Sequence, residues 1–151
     1  MTLLHPNNSS SGKLDPKKIA SLPDVSHEVK ATIEGTLDHV GMGAIEMPVL
    51  VKDSVGQIHR QPAKIDAYVS LDDPEAKGIH MSRIYLKIQE IFENEVLSEK
   101  SIRTLLKDFV DEQAGLSRSS FVRVSFNLPV KRAALKSGQK GWRQYPVFLE
   151  A

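Results

Sequence analysis

The sequence predicts an α+β domain: a four-stranded antiparallel sheet with two antiparallel helices on one face, in the order β-β-α-α-β-β. Three observations carry this. From Ala63 to Leu71, apolar Ala63, Ile65, Ala67, Val69 and Leu71 alternate with Lys64, Asp66 and Ser70, the period-2 pattern of a half-buried strand. From Met81 the period becomes helical, through Ile84, Tyr85, Ile88, Ile91 and Phe92. From Ser119 to Lys131 the alternation returns, with Val122, Val124, Phe126, Leu128 and Val130 facing one way and Arg123, Ser125 and Asn127 the other.

The remaining elements follow in order. Residues 1–30 hold Asn7 to Gly12, Pro16, Pro23 and several charges, too little apolar material to offset the cost of ordering, so a mobile N-terminal arm is expected. The single folded unit then spans 31–151. Ala31 to Val40 reads as extended and Gly41-Met42-Gly43 as a flexible break. Ile45, Met47, Val49 and Val51 form a strand whose Pro48 places it at an edge or bulge. Asp53-Ser54-Val55-Gly56 is a hairpin turn leading into Gln57 to Leu71. Asp72-Asp73-Pro74 stops that strand, because proline lacks a ladder N–H. The first helix runs from about Met81 to Asn94. Ser98 caps the second, Glu99 complements its dipole, and Gly115 fits the position just past its end. The short link makes the helices an antiparallel hairpin. Lys136 to Arg143 reads as a polar turn, and Tyr145, Val147 and Leu149 as a short last strand. That strand stops after about six residues, which points to a truncated chain.

Bulk properties narrow the function classes. A chain of 151 residues accommodates one domain with a real core. A net charge of +1 gives no bulk attraction to nucleic acid or an acidic membrane. The absence of cysteine removes disulfides, cysteine–zinc clusters and thiol nucleophiles. No apolar run approaches the roughly 18 residues of a membrane span. No charged head precedes an apolar stretch at the N-terminus, so no signal peptide is expected and the cytoplasm is the default compartment.

Candidate chemistry is sparse. His5, His27, His39, His59 and His80 form no His-x-x-x-His or His-x-His pair, so no metal motif is present and the first four read as solvated or loop histidines. His80, Ser82 and Arg83 differ in lying at a helix entry, Gly78-Ile79-His80-Met81-Ser82-Arg83, where side-chain donors join unpaired backbone N–H groups. His80 serves either a functional role or the bonding of its loop. Arg83 either binds phosphate bidentately or pairs with Asp72 or Asp73. Asp66 reads as a solvated face residue. Lys131, Arg132, Lys136, Lys140 and Arg143 with Trp142 form a basic segment, more often a solvated turn than a phosphate contact.

Three blocks together carry a resemblance: Val40 to Val49 (Val-Gly-Met-Gly-Ala-Ile-Glu-Met-Pro-Val); Val69 to Arg83, ending in Gly-Ile-His-Met-Ser-Arg; and Ala134 to Ser137 with Gly141-Trp142 and Tyr145-Pro146-Val147. From about Pro23 onward the chain resembles the N-terminal half of a type IB GTP cyclohydrolase. The resemblance implies the tunnelling fold, whose unit has the element order read above, two units in tandem, and a homo-oligomer such as a tetramer. It implies hydrolysis of GTP to 7,8-dihydroneopterin triphosphate and formate, the first step of folate or pterin synthesis. It also implies a divalent metal, manganese, zinc or iron, whose Cys, His and Glu ligands lie in the other half. No catalytic residue or metal ligand is therefore transferred to this chain, and His80 and Arg83 are carried only as site-lining candidates. The half alone is expected to be inactive; the alternative is a non-catalytic module for oligomer assembly or for purine or pterin binding.

Overall fold

The computed structural model describes residues 35–53 and 56–151. The elements are β1 (Leu37–Lys52), β2 (Ile58–Leu71), α1 (Met81–Asn94), α2 (Glu99–Glu112), β3 (Ser120–Ala133) and β4 (Lys140–Glu150). The strands form one antiparallel sheet in the order β1-β2-β3-β4. This is the β-β-α-α-β-β unit the sequence predicts. The expected arm, residues 1–30, lies outside the described residues, as do residues 31–34.

The core lies between one face of the sheet and the helix pair. Val49, Ile65, Val69, Val122 and Val124 meet Ile84, Ile88, Phe92, Leu105 and Phe109, all of them fully or almost fully buried. Burial of each such side chain contributes about 1.5–3 kcal/mol. Ser98 caps α2 reciprocally: its hydroxyl accepts from the Ser101 N–H at 3.2 Å, and its own N–H donates to the Ser101 hydroxyl at 2.9 Å. Loss of such a cap costs about 1 kcal/mol. The helix link is tied to the sheet by the Leu97 N–H donating to the Leu50 carbonyl at 2.7 Å.

Two expectations are corrected. Gly41-Met42-Gly43 is no break. It lies inside β1, which continues through it with register shifts between Leu37 and Val40 and between Met42 and Ile45. Glycine fits because a Cβ on Gly41 would stand 2.0 Å from the Ala67 carbonyl oxygen. At the second bulge Ala44 adopts φ 55°, and its N–H donates to Asp66 Oδ1 at 2.8 Å. Second, β4 begins at Lys140 rather than near Tyr145, and the turn is the shorter Ala134–Gln139 segment, closed by the Ala134 N–H on the Gln139 carbonyl at 2.7 Å.

The sheet forks. The β2–β3 ladder ends at Ala63 opposite Phe126, whereas β1–β2 pairing continues to Lys52 opposite Ile58 and β3–β4 pairing to Ala133 opposite Lys140. Extending the β2–β3 register would oppose Pro62 to Asn127 and Arg60 to Pro129. Neither proline has an N–H for the ladder, so the inner strands part there. A concavity of about 850 Å³ lies in the fork, with Met47, Pro62, Phe126 and Val147 among its walls. Beyond it, the outer half of β3–β4 stands as a two-stranded arm.

Candidate functional site

The Gly78–Arg83 entry is built by α2 as much as by α1. Gln113, at the end of α2's apolar face, is fully buried. Its Oε1 accepts the His80 N–H at 2.7 Å, and its Nε2 donates to the His80 carbonyl at 3.4 Å. One amide thus holds both backbone polar groups of His80, which is itself 8% exposed. His80 occupies the N-cap of α1 without a side-chain capping bond. Its carbonyl also receives the Arg83 and Ile84 N–H groups at 3.1 and 3.4 Å. The Arg83 guanidinium donates to the Glu112 carbonyl at 2.8 Å, placing a cation on the negative end of α2. Neither Asp72 nor Asp73 is its partner. Because α1's start meets α2's end, the helices run antiparallel.

A second polar lock joins the end of β2 to the loop after α2. The Ser70 hydroxyl donates to Asp72 Oδ2 at 2.6 Å and accepts the Arg118 and Ser119 N–H groups at 3.0 Å each. The Arg118 N–H also donates to Asp72 Oδ2 at 2.8 Å, and the Asp72 N–H donates to the Leu116 carbonyl at 2.8 Å. The Ser70 hydrogen bond, then the Arg118 N–H and charge, hold the Asp72 carboxyl below its ordinary range against an opposing desolvation. Asp66, expected on a solvated face, is half-buried and staples the β1 bulge. Its signal is absent from local sequence because its partner lies 22 residues away.

The basic segment gathers on the β3–β4 arm. Lys131 Nζ lies 5.8 Å from the centre of the Trp142 ring on the opposite strand, Arg132 lies 5.7 Å from Tyr145, and Arg123 lies 5.3 Å from Phe148. Arg123 also pairs with Glu150, its Nε donating at 2.8 Å. Trp142 and Phe148 are 69% and 62% exposed. A concavity of about 620 Å³ at the tip is lined by Arg132, Lys136, Gly141, Trp142, Arg143 and Tyr145, among others.

The donors among the described residues do not fit a divalent metal. Among the described residues no three of His, Cys, Asp and Glu come together. His39 lies on β1 with its ring 6.0 Å from those of Tyr68 and Phe121, and His59 is exposed on β2. His5 and His27 lie outside the described residues. Among the described residues no helix is long and apolar enough to cross a membrane.

A sheet of four antiparallel strands with a helix pair inserted between its middle two, keyed at Gln113, defines the class: an α+β unit of the β-β-α-α-β-β type. The chain belongs to the type I GTP cyclohydrolase FolE2 family, whose model matches residues 22–151. It is 44% identical over 131 residues to GTP cyclohydrolase FolE2 of Bdellovibrio bacteriovorus, covering 87% of this chain and 43% of that protein. It is 41% identical over 128 residues to the FolE2 protein of Hydrogenovibrio crunogenus, covering 85% of this chain and 41% of that protein. The FolE2 protein of Pseudoalteromonas translucida is 35% identical over 128 residues, with 85% and 42% covered. The chain thus spans less than half the length of these curated relatives.

Proposed function

We propose that this chain is one fold unit of a GTP cyclohydrolase, acting with the remainder of a full-length family protein. Together they hydrolyse GTP to 7,8-dihydroneopterin triphosphate and formate, the first step of folate or pterin synthesis. The observation that carries this is the family match over residues 22–151, with relatives named GTP cyclohydrolase at 44%, 41% and 35% identity. The reaction's divalent metal, manganese, zinc or iron, is held in this reading by residues outside this segment. His80 and Arg83 line the substrate site from this side, in a cytoplasmic homo-oligomer, a tetramer in this reading. A helix entry whose His80 backbone is held by Gln113 and whose Arg83 guanidinium is held by the Glu112 carbonyl supports that placement, because a site wall must hold its geometry.

The test is GTP turnover followed through the oxidised, fluorescent pterin, with Mn²⁺ or Zn²⁺ and a chelator control. The 151-residue chain alone is expected to be inactive. Addition of the complementary segment of a family protein is expected to produce chelator-sensitive turnover. Failure of the reconstituted protein to release formate overturns the proposal in favour of a non-catalytic module. Chelator-sensitive turnover by the chain alone overturns the assignment of the ligands to the remainder.

A further inference from the structure

The two helices of this unit start in different ways. α2 is capped locally, by hydrogen bonds that Ser98 and Ser101 exchange within one turn. His80, at the start of α1, makes no side-chain capping bond. Its backbone is held instead by the Gln113 amide, 33 residues away. Burying that amide and freezing its rotamers costs free energy that a local serine cap avoids. What the remote amide supplies, and a local cap does not, is a fixed position relative to the rest of the fold. Gln113 is tied to the end of the sheet. Its carbonyl accepts the Leu116 N–H at 3.1 Å, and the Leu116 carbonyl accepts the Asp72 N–H at 2.8 Å. Between Gln113 and Leu116 the chain reverses through Ala114 and Gly115, at φ 52° and 89°. Asp72 and His80 are the two ends of the loop that joins β2 to α1. One turn after α2 therefore clamps both ends of that loop, Asp72 through Leu116 and His80 through Gln113.

We propose that Gln113 is a positioning residue for the GTP cyclohydrolase reaction. It fixes the His80 backbone, and with it the site wall that His80 and Arg83 present, relative to the end of the sheet. This rests on the function proposed above. Gln113 is fully buried and acts only through His80. Its acceptor and donor grip the N–H and the carbonyl of one residue, so they set the orientation of that residue as well as its place. The reach of the side chain matters for the same reason. A displacement of about 1 Å at a reacting centre costs about 10²-fold in rate. A positioning residue is therefore read in turnover by protein that is still folded.

The test uses the chain reconstituted with the complementary segment of a family protein, assayed for GTP turnover through formate release. Circular dichroism checks each variant for an intact fold. Gln113→Leu removes both contacts with His80 and is expected to lower kcat/KM about tenfold or more. Gln113→Asn keeps the amide but falls one methylene short, and is expected to lose about as much. Gln113→Glu keeps the acceptor at full reach and is expected to fall between Gln113→Leu and the parent. Ser98→Ala is the control for a merely structural role. It removes the cap at the other end of α2, so the urea midpoint should drop while kcat/KM of the folded protein stays within about twofold. If Gln113→Leu does not fold, the Asn and Glu variants carry the same comparison. Parent-like kcat/KM in folded Gln113→Leu or Gln113→Asn overturns the proposal. So does an equal loss in Ser98→Ala, which makes the defect one of α2 stability. In those cases turnover by the parent leaves the cyclohydrolase reading intact. A reconstituted parent without GTP turnover overturns that reading, and the positioning role with it.

Discussion

Strand β3 runs through two environments with one sequence pattern. In its first half Val122 and Val124 are fully buried under the helices. In its second half Leu128 and Val130 keep the same alternation, yet they are only half-buried and stand opposite Tyr145 and Arg143. Alternation specifies which side chains share a face; it does not specify what covers that face. The helix-covered body is held by shape: close backbone approach at Gly41, a stapled bulge at Ala44 and a buried amide at Gln113. The arm is held by its two-strand ladder and cation–ring contacts, and its side chains are left for something else to meet.

The largest test of this contrast pairs two glycines. Gly41→Ala forces a methyl to 2.0 Å from the Ala67 carbonyl oxygen, against backbone that cannot swing aside. A loss of about 3 kcal/mol is expected in urea unfolding, the upper range for overpacking. Gly141→Ala, on the arm, meets nothing within 4 Å, so its effect should stay within about 0.5 kcal/mol. Equal losses would break the contrast.

Gln113→Leu comes next. The leucine fits an apolar helix face but removes the buried Oε1 that accepts the His80 N–H. A loss of about 2 kcal/mol is expected. Gln113→Glu keeps the acceptor for the His80 N–H and should fold better than Gln113→Leu. The arm counterpart, Lys131→Gln, removes an exposed cation–ring contact worth about 0.5–1 kcal/mol. Chemical denaturation of the three variants orders them, and a neutral Gln113→Leu would show that α2 does not fix the helix entry.

Ala44→Gly should stabilise. A non-glycine residue at φ 55° carries strain that glycine relieves, by about 1 kcal/mol before glycine's extra unfolded-state entropy is subtracted. A thermal midpoint that falls instead would mean the alanine methyl packs usefully at the bulge.

These positions also mark what sequence alone could show. Both helices were legible with their ends, because the amphipathic pattern of a fourteen-residue helix, and for the second a Ser98 cap and a Gly115 stop, agree within one local window. β2 was legible from its alternation. The Gly41–Gly43 bulge was not, since glycine reads as a break until Asp66 and Ala67 on the next strand are known. The start of β4 was hidden because Lys140 to Gln144 bury nothing and so carry no hydrophobic period. In the candidate site the helix entry was visible as a motif. Its support was not: Gln113 and Glu112 lie about thirty residues downstream of His80 and Arg83, and Gln113 sits in a helix stripe that reads only as core.

The smallest expected effect concerns acid. Between Gln113 and Leu149 there is no Asp or Glu, so carboxylate titration of the described residues belongs almost wholly to the body. Two carboxyls there pull in opposite directions. Asp72 is held below its ordinary value chiefly by Ser70. Its contribution is present above the unfolded value of 3.8 and is lost as pH falls through the lower folded value. Asp108 is raised, first by burial and further by Glu90, Asp111 and Glu112, against the opposing charge of Lys87. The folded protein then holds the Asp108 proton more readily than the unfolded chain, so this group favours folding more as pH drops through its raised value. Asp108→Asn removes a charge the fold disfavours and should stabilise the protein near neutral pH by about 0.5 kcal/mol or less, given how much of the site solvent screens. That gain should vanish below the ordinary carboxylate range, where Asp108 is protonated in both states. Asp72→Asn should show the opposite sign at neutral pH, with its difference from the parent shrinking only at more acid pH. Urea midpoints of the two variants across the acid range separate these effects. If both differences shrank in the same window, the two carboxyls would not be held in opposite senses.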